Sequence, residues 1–126
     1  MKKIVLALLF GCLMLSAAEI KNLQAAYSSG LVKIQWQSNS EANLKHYVIE
    51  KSADGVNFTF LTLESPKGNG SDYLILDRTL YGKSYLHYRV KMVDSNNSSV
   101  TSETVKANIL HSGISATWGS IKAMFR

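Results

Sequence analysis

Apolar and polar residues alternate along most of the chain with the two-residue period of half-buried β-strands, not the 3.6-residue period of a helix. In Leu31–Gln37, positions Val32, Ile34 and Trp36 fall on one face, with Lys33, Gln35 and Gln37 on the other. The rhythm recurs in His46–Ser52, which directs Tyr47 and Ile49 inward, and in Asp72–Asp77, which does the same with Tyr73 and Ile75. Ser84–Asp94 sets Tyr88, Val90 and Met92 against Arg89 and Lys91. Ile20–Tyr27, Phe58–Leu63 and Ser99–Ile109 complete the set, the last with Val105, Ala107 and Ile109 in phase. Between these runs lie turn signals: Ser28-Ser-Gly30, Asp54-Gly55, the Pro66-containing stretch Ser65–Ser71, the corner Leu80–Lys83, and Asp94–Asn97. Asp54-Gly55 predicts a tight hairpin, because glycine accepts the positive φ that such a turn demands. Trp36, Tyr47, Phe58, Tyr73 and Tyr88 share the phase of the aliphatic residues and are expected in the core.

Seven strands at this spacing predict an all-β fold, a small seven-stranded antiparallel sandwich. Glu50-Lys-Ser-Ala-Asp-Gly-Val-Asn-Phe58 and Tyr88-Arg-Val-Lys-Met-Val-Asp94, with Trp36 upstream, resemble the fibronectin type III superfamily of immunoglobulin-like sandwiches over residues 20–110. They are most similar to a bacterial subgroup often found upstream of type IX secretion sorting domains. The resemblance implies a buried tryptophan at Trp36, a tyrosine (Tyr85 or Tyr88) capping the corner before the sixth strand, and loops that gather at one end. The corner lacks the family's proline, since Leu80-Tyr-Gly82 stands in its place. The Asp94–Asn97 loop has no Arg-Gly-Asp, so integrin-type adhesion does not carry over.

The two ends depart from the strand pattern. Lys2-Lys3, an apolar Ile4–Leu15 run and the small residues Ser16-Ala-Ala18 form the three parts of a signal peptide over residues 1–18. A rival reading makes Leu9-Phe-Gly-Cys12 a lipobox with an acylated Cys12. Bulky Phe10 and the apolar segment after Cys12 count against it. Cleavage after Ala18 leaves 108 of the 126 residues and no cysteine, so the domain, residues 19–110, is held by core burial without disulfides. The expected location is secreted, periplasmic or in the outer envelope. The tail, residues 111–126, places Trp118, Ile121 and Phe125 at i, i+3 and i+7, with Lys122 and Arg126 as its charges. Such a segment docks in a partner groove, lies in a membrane interface, or folds back over exposed apolar surface of the sandwich.

Charge and side-chain chemistry narrow the function. Without Lys2 and Lys3, 12 of the 14 basic residues face 9 acidic ones, and this dispersed net charge of +3 gives no reason to expect nucleic acid. His46, His87 and His111 have no metal-ligand spacing, and His87, beside Arg89 and Lys91 on its strand, is expected to face solvent. The carboxylates form no general acid/base pair, no Gly-x-Ser-x-Gly occurs, and Gly68-Asn-Gly70 lacks the Lys and helix of a phosphate loop. The expectation is a non-enzymatic module with no cofactor and no metal, contacting a protein or glycan at the cell envelope. The alternative is an assembly subunit whose apolar tail docks into a larger complex or a membrane surface. Arg89 and Lys91, joined by Lys51 and Lys33, are read as solvated sheet faces. The candidate contacts are the loop asparagines Asn39, Asn43, Asn69, Asn96 and Asn97, together with Trp118, Ile121 and Phe125 of the tail.

Overall fold

The computed structural model describes residues 17–80 and 82–109. Eight strands occur in it: β1 (Glu19–Ser28), β2 (Leu31–Ser40), β3 (Leu44–Ser52), β4 (Thr59–Glu64), β5 (Asp72–Asp77), β6 (Tyr85–Asp94), β7 (Ser99–Thr101) and β8 (Val105–Asn108). They form two antiparallel sheets, one ordered β1-β2-β5 and the other β4-β3-β6, with β7 and β8 both pairing β6.

The expected seventh strand is therefore two. Ser102 causes the break: its Oγ accepts from Val90 N at 2.9 Å, while its own N donates to Val90 O at 2.8 Å. Residues 102–104 leave the ladder, and Val105 resumes pairing with Tyr88. The hairpin expected at Asp54-Gly55 is also longer, a six-residue loop over residues 53–58. Asp54 Oδ1 accepts from Ser52 Oγ, Val56 N and Asn57 N, all at 2.8 Å. Those donors, led by the Asn57 and Val56 amides, hold its carboxyl well below the usual carboxylate range. By contrast, β1 and β2 are joined by a two-residue turn, with Ser29 and Gly30 at φ 53° and 85°. Two consecutive positive φ values match the right-handed twist of a hairpin.

The core lies between the sheets. Val32, Ile34 and Trp36 of β2 and Tyr73 and Ile75 of β5 meet Tyr47 and Ile49 of β3 and Leu86, Tyr88, Val90 and Met92 of β6. Ala107 and Ile109 close one side. Trp36 stacks on Tyr73 at 5.0 Å between centroids, and Tyr47 meets both rings edge-on. Phe58 is the exception to the expected aromatic core. It is half-buried on the outside of the larger sheet, with the Arg89 guanidinium 3.9 Å from its ring centre. Phe60, two positions on and paired with Glu50, faces outward as well.

Candidate binding surfaces

Three loops, residues 41–43, 65–71 and 95–98, converge at one end, as the resemblance implies. Ser38, buried at the end of β2, ties the first two: its N donates to Ser71 O at 2.9 Å and its Oγ to Gly68 O at 2.8 Å. Ser95 N donates to Asn43 O at 2.9 Å and brings in the third. Glu41 sits at the centre. Its carboxylate accepts from the hydroxyls of Tyr47 and Tyr73 and from Gly68 N. Burial, and then this carboxylate, raise both phenols above their ordinary value.

The asparagines of this end serve the loops themselves. Asn43 and Asn97 adopt φ 57° and 70°, left-handed values that asparagine tolerates better than most residues. Asn69 Oδ1 accepts from Glu41 N at 2.7 Å, Asn97 Oδ1 from Lys45 Nζ at 3.2 Å, and Asn96 Oδ1 from Ser98 N at 3.1 Å. Asn39 is exposed on β2. The structure brings the three loops together but spends most of their amides internally. Trp118, Ile121 and Phe125 lie outside the described residues, as does Cys12.

The outer face of the larger sheet is a different surface, whose Arg89 and Lys91 the sequence reading takes as merely solvated. Tyr85 and His87 of β6 meet edge to face at 5.8 Å, and Lys106 Nζ of β8 stands 4.5 Å from the Tyr85 ring centre. Arg89 and Lys91 lie further along β6 and both pair with Glu50, at 2.7 and 3.6 Å. His87 is half-buried rather than freely solvated, because the 53–58 loop covers one side of its ring. The four cations of the predicted basic faces do not form one stripe. Lys33 belongs to the other sheet, and Lys51 pairs with Asp77 at 2.9 Å inside the opposite end of the sandwich. The readable signal for this face was the run Tyr85, His87, Arg89, Lys91, alternate residues of one strand and therefore on one side. Among the described residues no three His, Cys, Asp or Glu side chains are grouped to hold a metal.

No protein-family model matches the chain, and no curated protein matches it. Solved structures share its fold. A fibronectin type III-like protein from Clostridium thermocellum superposes with a TM-score of 0.54 at 18% identity, over 75% of this chain and 93% of that one. Pectate lyase Pel3 from Pectobacterium carotovorum matches with a TM-score of 0.54 at 20% identity, over 70% of this chain. Pectate lyase PelI from Erwinia chrysanthemi, solved with tetragalacturonic acid, gives 0.57 at 16% identity over 71% of this chain. The matched region spans 26% of Pel3 and 28% of PelI. The fold is thus a fibronectin type III-like β-sandwich.

Proposed function

We propose that this chain is a non-catalytic, exported sandwich module that contacts an acidic glycan or protein at the cell envelope through the outer face of its larger sheet. The observation that supports this reading is the cluster Tyr85, His87, Arg89, Lys91 and Lys106, with Glu50 as its paired carboxylate. A broad face carrying aromatic rings and cations offers both stacking area and charge to a polymer bearing carboxylates. Export rests on the signal-peptide pattern of residues 1–18. The type IX route rests on the resemblance carried by residues 50–58 and 88–94.

Affinity electrophoresis against an oligogalacturonate, suggested by the ligand of PelI, and against neutral glycans tests the face. Retardation by the acidic polymer that weakens with salt and disappears in Lys106→Glu supports the proposal. Lys106 is exposed on β8, so the substitution leaves the core intact. Equal mobility of both proteins in acidic and neutral gels, with no envelope protein captured through this face, overturns it.

A further inference from the structure

The sandwich has an apolar flank. β1 lies against β8, which places the edge strands β4 and β5 on the opposite side. Four of the seven exposed large apolar residues among those described belong to these two strands: Phe60, Leu63, Leu74 and Leu76. At its lower end a cleft of about 480 Å³ opens between β4 and the corner that follows β5. Phe60, Leu61, Leu80 and Leu86 provide its apolar wall, with Asp54 and Lys83 on its polar side. A bulge in the β3–β4 pairing at Ile49/Glu50 leaves Leu61 unpaired, and its side chain packs toward the core at the cleft.

We propose that the chain's own C-terminal segment, residues 110–126, crosses this end of the molecule and seats Trp118 in that cleft. The exit point supports it. Ile109 N donates to Ser84 O at 2.8 Å, and Ser84 lies between two residues beside the cleft, Lys83 and Leu86. From β8 to β4 the sheet order is β8-β6-β3-β4, three steps of about 4.8 Å, or about 14 Å. The nine residues from Ile109 to Trp118 reach about 30 Å when extended, so the segment spans that distance with chain to spare. Composition agrees: Trp118, Ile121 and Phe125 are apolar, and Lys122 brings a cation toward the ionised Asp54.

Amide NMR spectra of the full chain and of its Trp118→Ser variant test this, since that substitution lies outside the sandwich. Shifts confined to Phe60, Leu61, Leu80, Lys83 and Leu86, independent of protein concentration, are expected. Phe60→Asp should reproduce them from the cleft side and raise acrylamide quenching of the tryptophan emission. Shifts that vanish on dilution would mean that the segment enters the cleft of a second copy, and would overturn the assignment. Unchanged cleft amides would overturn it as well.

Discussion

The Tyr88 hydroxyl donates to Asp77 Oδ2 at 2.6 Å inside the protein, and that bond ties the end of β5 to the middle of β6. Asp77 is 1% exposed and also accepts from Lys51 Nζ at 2.9 Å and from Thr79 Oγ1 at 2.8 Å. One carboxylate thereby joins both sheets and the corner after β5. Of the two tyrosines that the resemblance offered for the corner, the structure selects Tyr88, while Tyr85 faces outward.

Replacing Tyr88 with Phe keeps the ring packing and removes the bond. We expect a loss of about 1–3 kcal/mol, read as a lower urea midpoint with an unchanged m-value. Asp77→Ala removes the acceptor shared by several donors, and its cost should be larger, about 3–5 kcal/mol. A Tyr88→Phe midpoint equal to that of the parent would show that the bond carries no net stability.

Acid should weaken the same tie. Burial pushes the Asp77 carboxyl up, but the bonds from Tyr88, Lys51 and Thr79 outweigh it and leave it below its ordinary value. A carboxyl depressed in the folded state contributes stability above its unfolded pKa of about 4, and that contribution fades as pH falls toward the folded value. Urea midpoints should therefore decline below about pH 4 in the parent and decline less in Asp77→Asn.

Alkali acts with the opposite sign. Burial first, and then Glu41 and Asp77 respectively, raise the Tyr47 and Tyr88 phenols far above their ordinary value. Groups raised in the folded state stabilise it below the unfolded pKa of about 10, and the stability is lost as pH rises further. Phenolate absorbance from this buried pair should appear only together with unfolding.

Gly55 has φ +78°, and a Cβ there would approach the His87 ring to 3.2 Å. Gly55→Ala should cost about 1–2 kcal/mol from the left-handed backbone alone, with the clash in addition. His87→Ala in the same background should recover the second part and not the first. A double-mutant cycle on thermal midpoints separates them.

At the loop end, Glu41→Ala removes the acceptor of Tyr47, Tyr73 and Gly68 at once. The expected loss is about 1–3 kcal/mol, accompanied by faster amide exchange in residues 68–71. Faster exchange throughout the sheet instead would place the defect in the core.

The phase of β2, β5 and β6 was legible because each buries one face, and a slip of one residue would expose Trp36, Tyr73 or Tyr88. The division of the last strand was not, since a serine that substitutes its own atoms for a neighbour's backbone looks like any polar residue in a run. Phe58 misled because the sequence does not show that its ring lies under Arg89 on the outer face. Glu41 was hidden among polar neighbours. Its partners lie 6 to 32 positions away, so its role exists only once the loops converge. The asparagines were conspicuous for a ligand, yet the left-handed turns at Asn43 and Asn97 account for two of them.

The break at Ser102 also bears on association. An uninterrupted edge strand offers its spare amides and carbonyls to any passing chain, and short pieces blunt that invitation. β7 and β8, three and four residues long, expose no continuous template, and Ser102 occupies both the N–H and the carbonyl of Val90 where they meet. That border of the sheet is thus guarded against strand-to-strand aggregation. Repairing the break, with Ser102→Val, should cost the protein its solubility before it costs its fold.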